Sequence, residues 1–265
     1  MKKRLKIWGS AFSIVFITAV VFAQLRTADV PNPIPNTLGV IERLNADSNA
    51  QILFIHGSPG SKEGYLGYLD LPDLQSIADL VAIDRLGFGA SNPEPETSIR
   101  RQAQAILPYL SNEKANILVG HSLGGPIALQ LALIAPEKVH GMVLVAPAFD
   151  PELEHPKWYN YIADTVLAKW LLPDEWNQSN IEMMSLSDEL EKLASQNWEP
   201  LTMPIHIVHG EEDDIADPGN SSFAIKKLPS KTSKLFWVQD EGHFVLWQNI
   251  PLIAKHVQAI FKKAL

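Results

Sequence analysis

The 265-residue chain contains no cysteine. That one absence removes disulfides, thiolate metal sites, a cysteine nucleophile and lipid attachment through a cysteine. Cations are scarce as well, with 22 Lys and Arg against 30 Asp and Glu and a formal net charge of −8. Lys2, Lys3, Arg4 and Lys6 all precede residue 7, so from residue 24 onward 18 cations face 30 anions. This excess of negative charge argues against nucleic acid as a partner and against a polyanionic substrate. Internal repeats and low-complexity tracts are lacking too. What the chain holds in quantity is hydrophobic residues, 46% against 20% charged, enough for one large domain with a buried core.

Charge is also missing from residues 7–25, IWGSAFSIVFITAVVFAQL, which follow the basic MKKRLK. A positive start followed by an apolar run is the pattern of a signal peptide or a single membrane anchor. Val21-Phe22-Ala23 offers a small-residue cleavage site. The uniform apolarity argues against a buried amphipathic helix of the domain. Residues 1–28 are therefore expected to export the chain across the cytoplasmic membrane. It would then be membrane-anchored, or released to the periplasm or exterior. Residues 29–37 (DVPNPIPNT) read as a proline-rich linker.

From residue 38 onward apolar runs alternate with helical patterns. Strands are predicted over 38–44, 51–55, 80–83, 116–119, 141–145, 205–208 and 235–238, and helices over about 97–111, 124–134, 221–227 and 249–263. Alternation of this kind predicts an α/β domain with a mostly parallel central sheet flanked by helices. Residues 149–200 break the rhythm. They hold no clear strand but contain Trp158, Tyr159, Tyr161, Trp170, Trp176 and Trp198. A stretch of this length is too long for a plain loop and predicts a helical cap insertion.

The chemistry-bearing motif lies between a strand and a helix: ANILV, then Gly120-His121-Ser122-Leu123-Gly124-Gly125, then PIALQLALIA. In this G-x-S-x-G context the serine sits on a strained, tight turn at a helix N-terminus, and glycines flank it because a Cβ would collide with its neighbours. Here the chain resembles the α/β-hydrolase family, over roughly residues 38–265. Three more segments carry the resemblance. His56-Gly57-Ser58-Pro59-Gly60 is similar to the family's H-G-x-P-G loop. LVAIDRLGFGAS is similar to its D-x-x-G-x-G-x-S turn. The third is the pair of segments that would supply an acid and a base. The resemblance implies an α/β-hydrolase fold with Ser122 as nucleophile and the amides of Ser58 and Leu123 as the oxyanion hole. Gly120, His121 and Gly124 would shape the elbow. His56, Asp84 and Arg85 are expected to brace loops.

In the same chain order, IHIVHG-EEDDIADP resembles the family's strand followed by an acid and points to Asp213, with adjacent Asp214 and nearby Asp217 as neighbours. Asp150, after the strand GMVLVAPAF, is a second candidate acid. DEGHFVLWQNIP resembles the family's G-H segment and points to His243 as base. A metal site drawing on His206, His209, Glu211 or Asp214 is disfavoured, because His206 and His209 point to opposite faces of a strand.

A serine hydroxyl is a weak nucleophile at neutral pH and needs an adjacent base. The resemblance therefore implies a Ser-His-Asp acyl-enzyme mechanism with no metal and no organic cofactor. The aromatic insertion is expected to cover the strand ends and form an apolar pocket, which favours a small to medium hydrophobic ester. The alternatives are another acyl bond (amide, thioester, lactone or carbon–carbon), a catalytically silent binding protein, and a membrane-tethered partner protein. Epoxide and haloalkane hydrolases of this fold carry an aspartate at the elbow, where this chain has Ser122.

Overall fold

The computed structural model describes residues 37–91 and 93–265. The expected export segment 1–28, and the linker up to residue 36, lie outside the described residues. Seven strands occur in the predicted places: β1 (Val40–Arg43), β2 (Ala50–Ile55), β3 (Asp79–Ile83), β4 (Ala115–His121), β5 (Val139–Val145), β6 (Ile205–Gly210) and β7 (Ser233–Val238). They form one sheet in the order β1-β3-β2-β4-β5-β6-β7. Only β1 runs antiparallel, pairing with β3. β2, β3, β4 and β6 are buried at every residue, which is why they read as unbroken apolar runs rather than alternating ones.

Helices cover both faces. α1 (Ile99–Ile106) opens on Ser98, whose hydroxyl accepts the amide of Arg101. It ends earlier than predicted, giving way to a 3-10 turn (Leu107–Tyr109) at Pro108, which has no backbone N–H to donate. α2 (Gly124–Ile134) follows β4 and is buried from Gly124 through Ala132. A helix apolar on all sides is one covered on all sides, and α1 and the cap lie against it. The insertion forms α3 (Trp158–Ala163), α4 (Val166–Leu171) and α5 (Asp174–Ala194). α6 (Gly219–Lys227) lies between β6 and β7. α7 (Ile250–Ala264) packs Ile253, Val257 and Ile260 on β4, β5 and β6. Three four-residue helices, Leu66–Leu69, Pro72–Gln75 and Val245–Gln248, were too short to leave a periodic signal. Among the described residues no helix is long and apolar enough to cross a membrane.

One expectation is corrected here. Of the six tryptophans and tyrosines in the insertion, only Trp198 is buried. Its ring meets Phe149 and its Nε1 donates to the Leu193 carbonyl. Trp158, Tyr159, Tyr161, Trp170 and Trp176 are exposed rather than gathered into an apolar interior. On α3 the inward position is taken by a polar residue: Asn160 donates to Asn180 Oδ1 at 2.9 Å while Asn180 donates back to the Asn160 carbonyl. With this amide pair turned inward, Trp158, Tyr159 and Tyr161 of α3 are left exposed. Two surface clefts, of about 270 and 280 Å³, have neither Ser122 nor His243 in their walls.

The cap is fastened by polar contacts along α5. Glu182 forms a two-pronged ion pair with Arg85, 2.6 Å from Oε1 to Nη1 and 3.0 Å from Oε2 to Nη2. Further along, Glu189 accepts the amide of Ile99 and Ser179 meets the hydroxyl of Ser58. Gln178 donates to the Pro93 carbonyl.

Candidate active site

Ser122 stands between the end of β4 and the start of α2 with φ +52°. Such a left-handed conformation is costly for a residue with a Cβ and persists only where its surroundings enforce it. Here the Ser122 amide donates to the Val145 carbonyl on β5, and the Ser122 carbonyl accepts the Gly125 amide. A Cβ on Gly120 would lie 2.9 Å from the Gly125 Cα, and one on Gly57 would lie 2.8 Å from the Ser122 Cβ. The two glycines thus let the helix and the 56–60 loop close on the serine. Ser122 is half-buried. Among the described residues neither the Ser58 amide nor the Leu123 amide donates to a protein acceptor.

Asp213 follows β6 and is met by four donors. Its Oδ1 accepts the amides of Ile215 and Ala216, each at 2.9 Å. Its Oδ2 lies 2.8 Å from His243 Nδ1 and 3.0 Å from His209 Nε2. Burial alone would raise this carboxyl, but the hydrogen bonds from His209, His243 and the Ala216 amide outweigh it and hold the group well below the usual carboxylate range. Asp213 is therefore an anion at neutral pH. An anion accepts, so His243 presents Nδ1–H to it and its Nε2 is left unprotonated in the neutral ring.

His121, the residue before the serine, ties β4 to the His243 loop. Its Nε2 lies 3.0 Å from the His243 carbonyl, and the two rings are 4.8 Å apart. The Trp247 ring packs on its other side at 4.7 Å. Burial and the neighbouring His243 push the pKa of His121 down to about 3, so it is a neutral brace. The structure thus brings His121, Asp213 and His243 together, and Ser122 follows His121 directly in the chain. Asp214 is exposed, and Asp150 holds a turn through the Glu152 amide. Neither contacts His243.

The 56–60 loop is held from behind. Arg85 is wholly buried, and its Nε and Nη2 donate to the carbonyls of His56 and Gly57 at 2.9 and 2.8 Å. The Arg85 amide lies 3.0 Å from His56 Nε2. Burial and the Arg85 charge hold His56 well below the ordinary imidazole range, which keeps Nε2 an acceptor. Asp84 takes the amide and ammonium of Lys62 and the amide of Ala90.

Two residues near the site escaped the sequence reading. His209, placed there among disfavoured metal ligands, shares the Asp213 oxygen with His243. Its Nε2 faces two acceptors, Asp213 Oδ2 and the Ala216 carbonyl at 3.1 Å, so it must carry the proton. Its Nδ1 then accepts from the Ser221 hydroxyl at 2.6 Å. The signal was available in the four-residue spacing of His209 and Asp213 across the β6 turn. Glu154 lies where the cap begins and is raised to about 7 by burial, partly offset by its 2.7 Å hydrogen bond from Asn220 and by the charges of Lys157 and His243. Nothing in the sequence marked it. Among the described residues no group of three or more His, Asp or Glu could hold a metal ion.

Comparison with known proteins agrees with this architecture. A family model described as the alpha/beta hydrolase fold matches residues 51–170. The chain is 38% identical over 103 residues to 2-hydroxymuconate semialdehyde hydrolase of Pseudomonas sp., covering 37% of this chain and 36% of that one. It is 26% identical over 179 residues to a mitochondrial palmitoyl-protein thioesterase of Rattus norvegicus, covering 63% and 60%. The chain therefore spans about a third and about three fifths of these relatives' lengths. Among solved structures, the Paleococcus ferrophilus monoacylglycerol lipase superposes with a TM-score of 0.66 at 17% identity, covering 86% of this chain and 99% of that one. With its mostly parallel seven-stranded sheet and helical insertion, the chain has the α/β-hydrolase fold.

Proposed function

We propose that the protein is a serine hydrolase that cleaves a small to medium hydrophobic carboxylic ester through an acyl-enzyme. The observation that carries this reading is the 2.8 Å contact between His243 Nδ1 and an anionic Asp213, tied through His121 to the turn that holds Ser122 at φ +52°. In the first step Ser122 Oγ attacks the carbonyl carbon while His243 Nε2 takes its proton. Asp213 stabilises the resulting imidazolium, and the carbonyl oxygen, now an oxyanion, is held by the amides of Ser58 and Leu123. Collapse expels the alcohol, which receives the proton from His243. Water then repeats the sequence on the acyl-serine, releasing the acid and restoring Ser122. Among the described residues Ser122 Oγ has no hydrogen-bond partner. Contacts of this kind tighten when substrate binds.

A second reading, cleavage of another acyl bond, draws support from relatives named as a 2-hydroxymuconate semialdehyde hydrolase and a palmitoyl-protein thioesterase. The basic and apolar residues 1–23 support export and a membrane tether. The test is hydrolysis of p-nitrophenyl esters from acetate to palmitate by the full chain and by Ser122→Ala. Turnover is expected to fall at least ~10³-fold in the variant. Equal turnover in both proteins would remove Ser122 from the mechanism. A folded wild-type chain silent on every ester but labelled by a fluorophosphonate at Ser122 would favour the second reading.

A further inference from the structure

The outward face of α3 and α4 is the largest unexplained feature of the surface. Val166 is 87% exposed, Trp170 80% and Trp158 74%, and Tyr161, Leu167 and Leu171 accompany them. Contiguous exposure of large apolar side chains on this scale marks an interaction site. The face carries no net charge: its two ions, Asp164 and Lys169, pair with each other at 2.7 Å. It offers nothing to a charged partner. Tryptophan and tyrosine mixed with aliphatic residues on short amphipathic helices suit the boundary between headgroups and acyl chains, where an apolar ring with a polar edge is at home.

The sequence supplies the second argument. Residues 7–23 lie in the uncharged run read above as a signal peptide or a membrane anchor; if uncleaved, residues 24–37 separate it from the domain. Fourteen extended residues reach at most about 50 Å. That is about the width of a domain of this size, so any face of it can reach the lipid surface at high effective concentration. A patch of modest intrinsic affinity then suffices.

We infer that the α3–α4 face docks on a lipid bilayer. Ester substrates dissolved in lipid would reach Ser122 without crossing bulk water. Delivery of substrate rests on the hydrolase reading; docking does not.

The absence of cysteine allows a clean test. The full chain carrying Val166→Cys, labelled with a fluorophore, is reconstituted with phosphatidylcholine vesicles containing brominated acyl chains. Leu44→Cys, 71% exposed and outside the cap, is the control. At least twofold quenching at Val166 and none at Leu44 is expected, with no increase on adding anionic lipid. Introducing Trp158→Ser and Trp170→Ser should remove the quenching, leave turnover of p-nitrophenyl acetate unchanged and lower turnover of a vesicle-borne long-chain ester about tenfold. An unquenched Val166 label overturns the inference. So does a label shielded from aqueous iodide in a concentration-dependent way without vesicles, which would make a second copy of the chain the occupant. Quenching without turnover of any ester leaves docking in place and removes the hydrolase reading.

Discussion

Asp213 shows how one side chain is made to serve a neighbour. Four donors saturate its two oxygens, and two of them are histidines on the same Oδ2. The Nε2–H of His209 fixes the carboxylate that orients His243, so His209 is a positioning residue. Replacing His209 with Phe keeps the volume and deletes the donor. The altered position of the carboxylate should lower kcat by up to about a hundredfold while leaving KM nearly unchanged. Steady-state kinetics of the variant check this. An unchanged kcat would mean that His209 only fills space.

Among the elements, the strands were the most legible. Seven apolar runs bounded by turn residues became seven strands, because a parallel sheet buried on both faces writes itself as continuous Val, Ile and Leu. The elbow was legible for a related reason. Gly120 and Gly124 sit where a Cβ would meet backbone, and a steric demand of that kind leaves a fixed spacing in the chain. The site segments around Asp213 and His243 followed the same order. The cap was legible only as an interruption. Its length and lack of strands announced helices, but the inward turn of Asn160 and Asn180 depends on tertiary pairing that no periodicity records. The same holds for the bond between α5 and the loop after β3. Glu182 looked like an ordinary helix residue, and Arg85 like the neighbour of a turn aspartate. Together they form a buried ion pair whose cation also grips the carbonyls of His56 and Gly57. Removing the anion alone leaves a charge with no compensation, so Glu182→Leu should cost about 3–5 kcal/mol. Replacing both partners, as Arg85→Met with Glu182→Leu, should recover much of that stability but not the hold on the 56–60 loop. Denaturant unfolding of the single and double variants reads the first effect. A kcat that stays low in the restored double variant reads the second.

On the scale of the whole molecule, acid stability is decided by buried histidines more than by the excess of carboxylates. His206 and His256 meet through their Nδ1 atoms at 3.2 Å under α7. Phe236 packs on both rings and Lys263 lies 3.5 Å from His206 Nε2. Burial, with each other's charge and that of Lys263 and Lys234, pushes His206 down to about 4. Burial also lowers His256. His121 at about 3 and His56 shift the same way. In each case the unfolded chain takes up a proton near pH 6.5 and the folded protein does not. The unfolded state therefore binds more protons between about pH 6.5 and 4, and stability falls as pH falls through that window. Glu154, raised to about 7, opposes this. Its folded form holds a proton that the unfolded form releases above about 4.5, so it favours folding toward acid. One such group against four histidines leaves the balance with the histidines. The melting temperature is expected to be highest near neutrality and to drop by about 3–5 °C per net proton for each pH unit below 6.5. Differential scanning calorimetry from pH 7.5 to 4.5 measures this slope. His206→Gln removes one titrating ring, so its slope should be shallower by about one proton. An equal slope in the two proteins would assign the acid sensitivity to other groups.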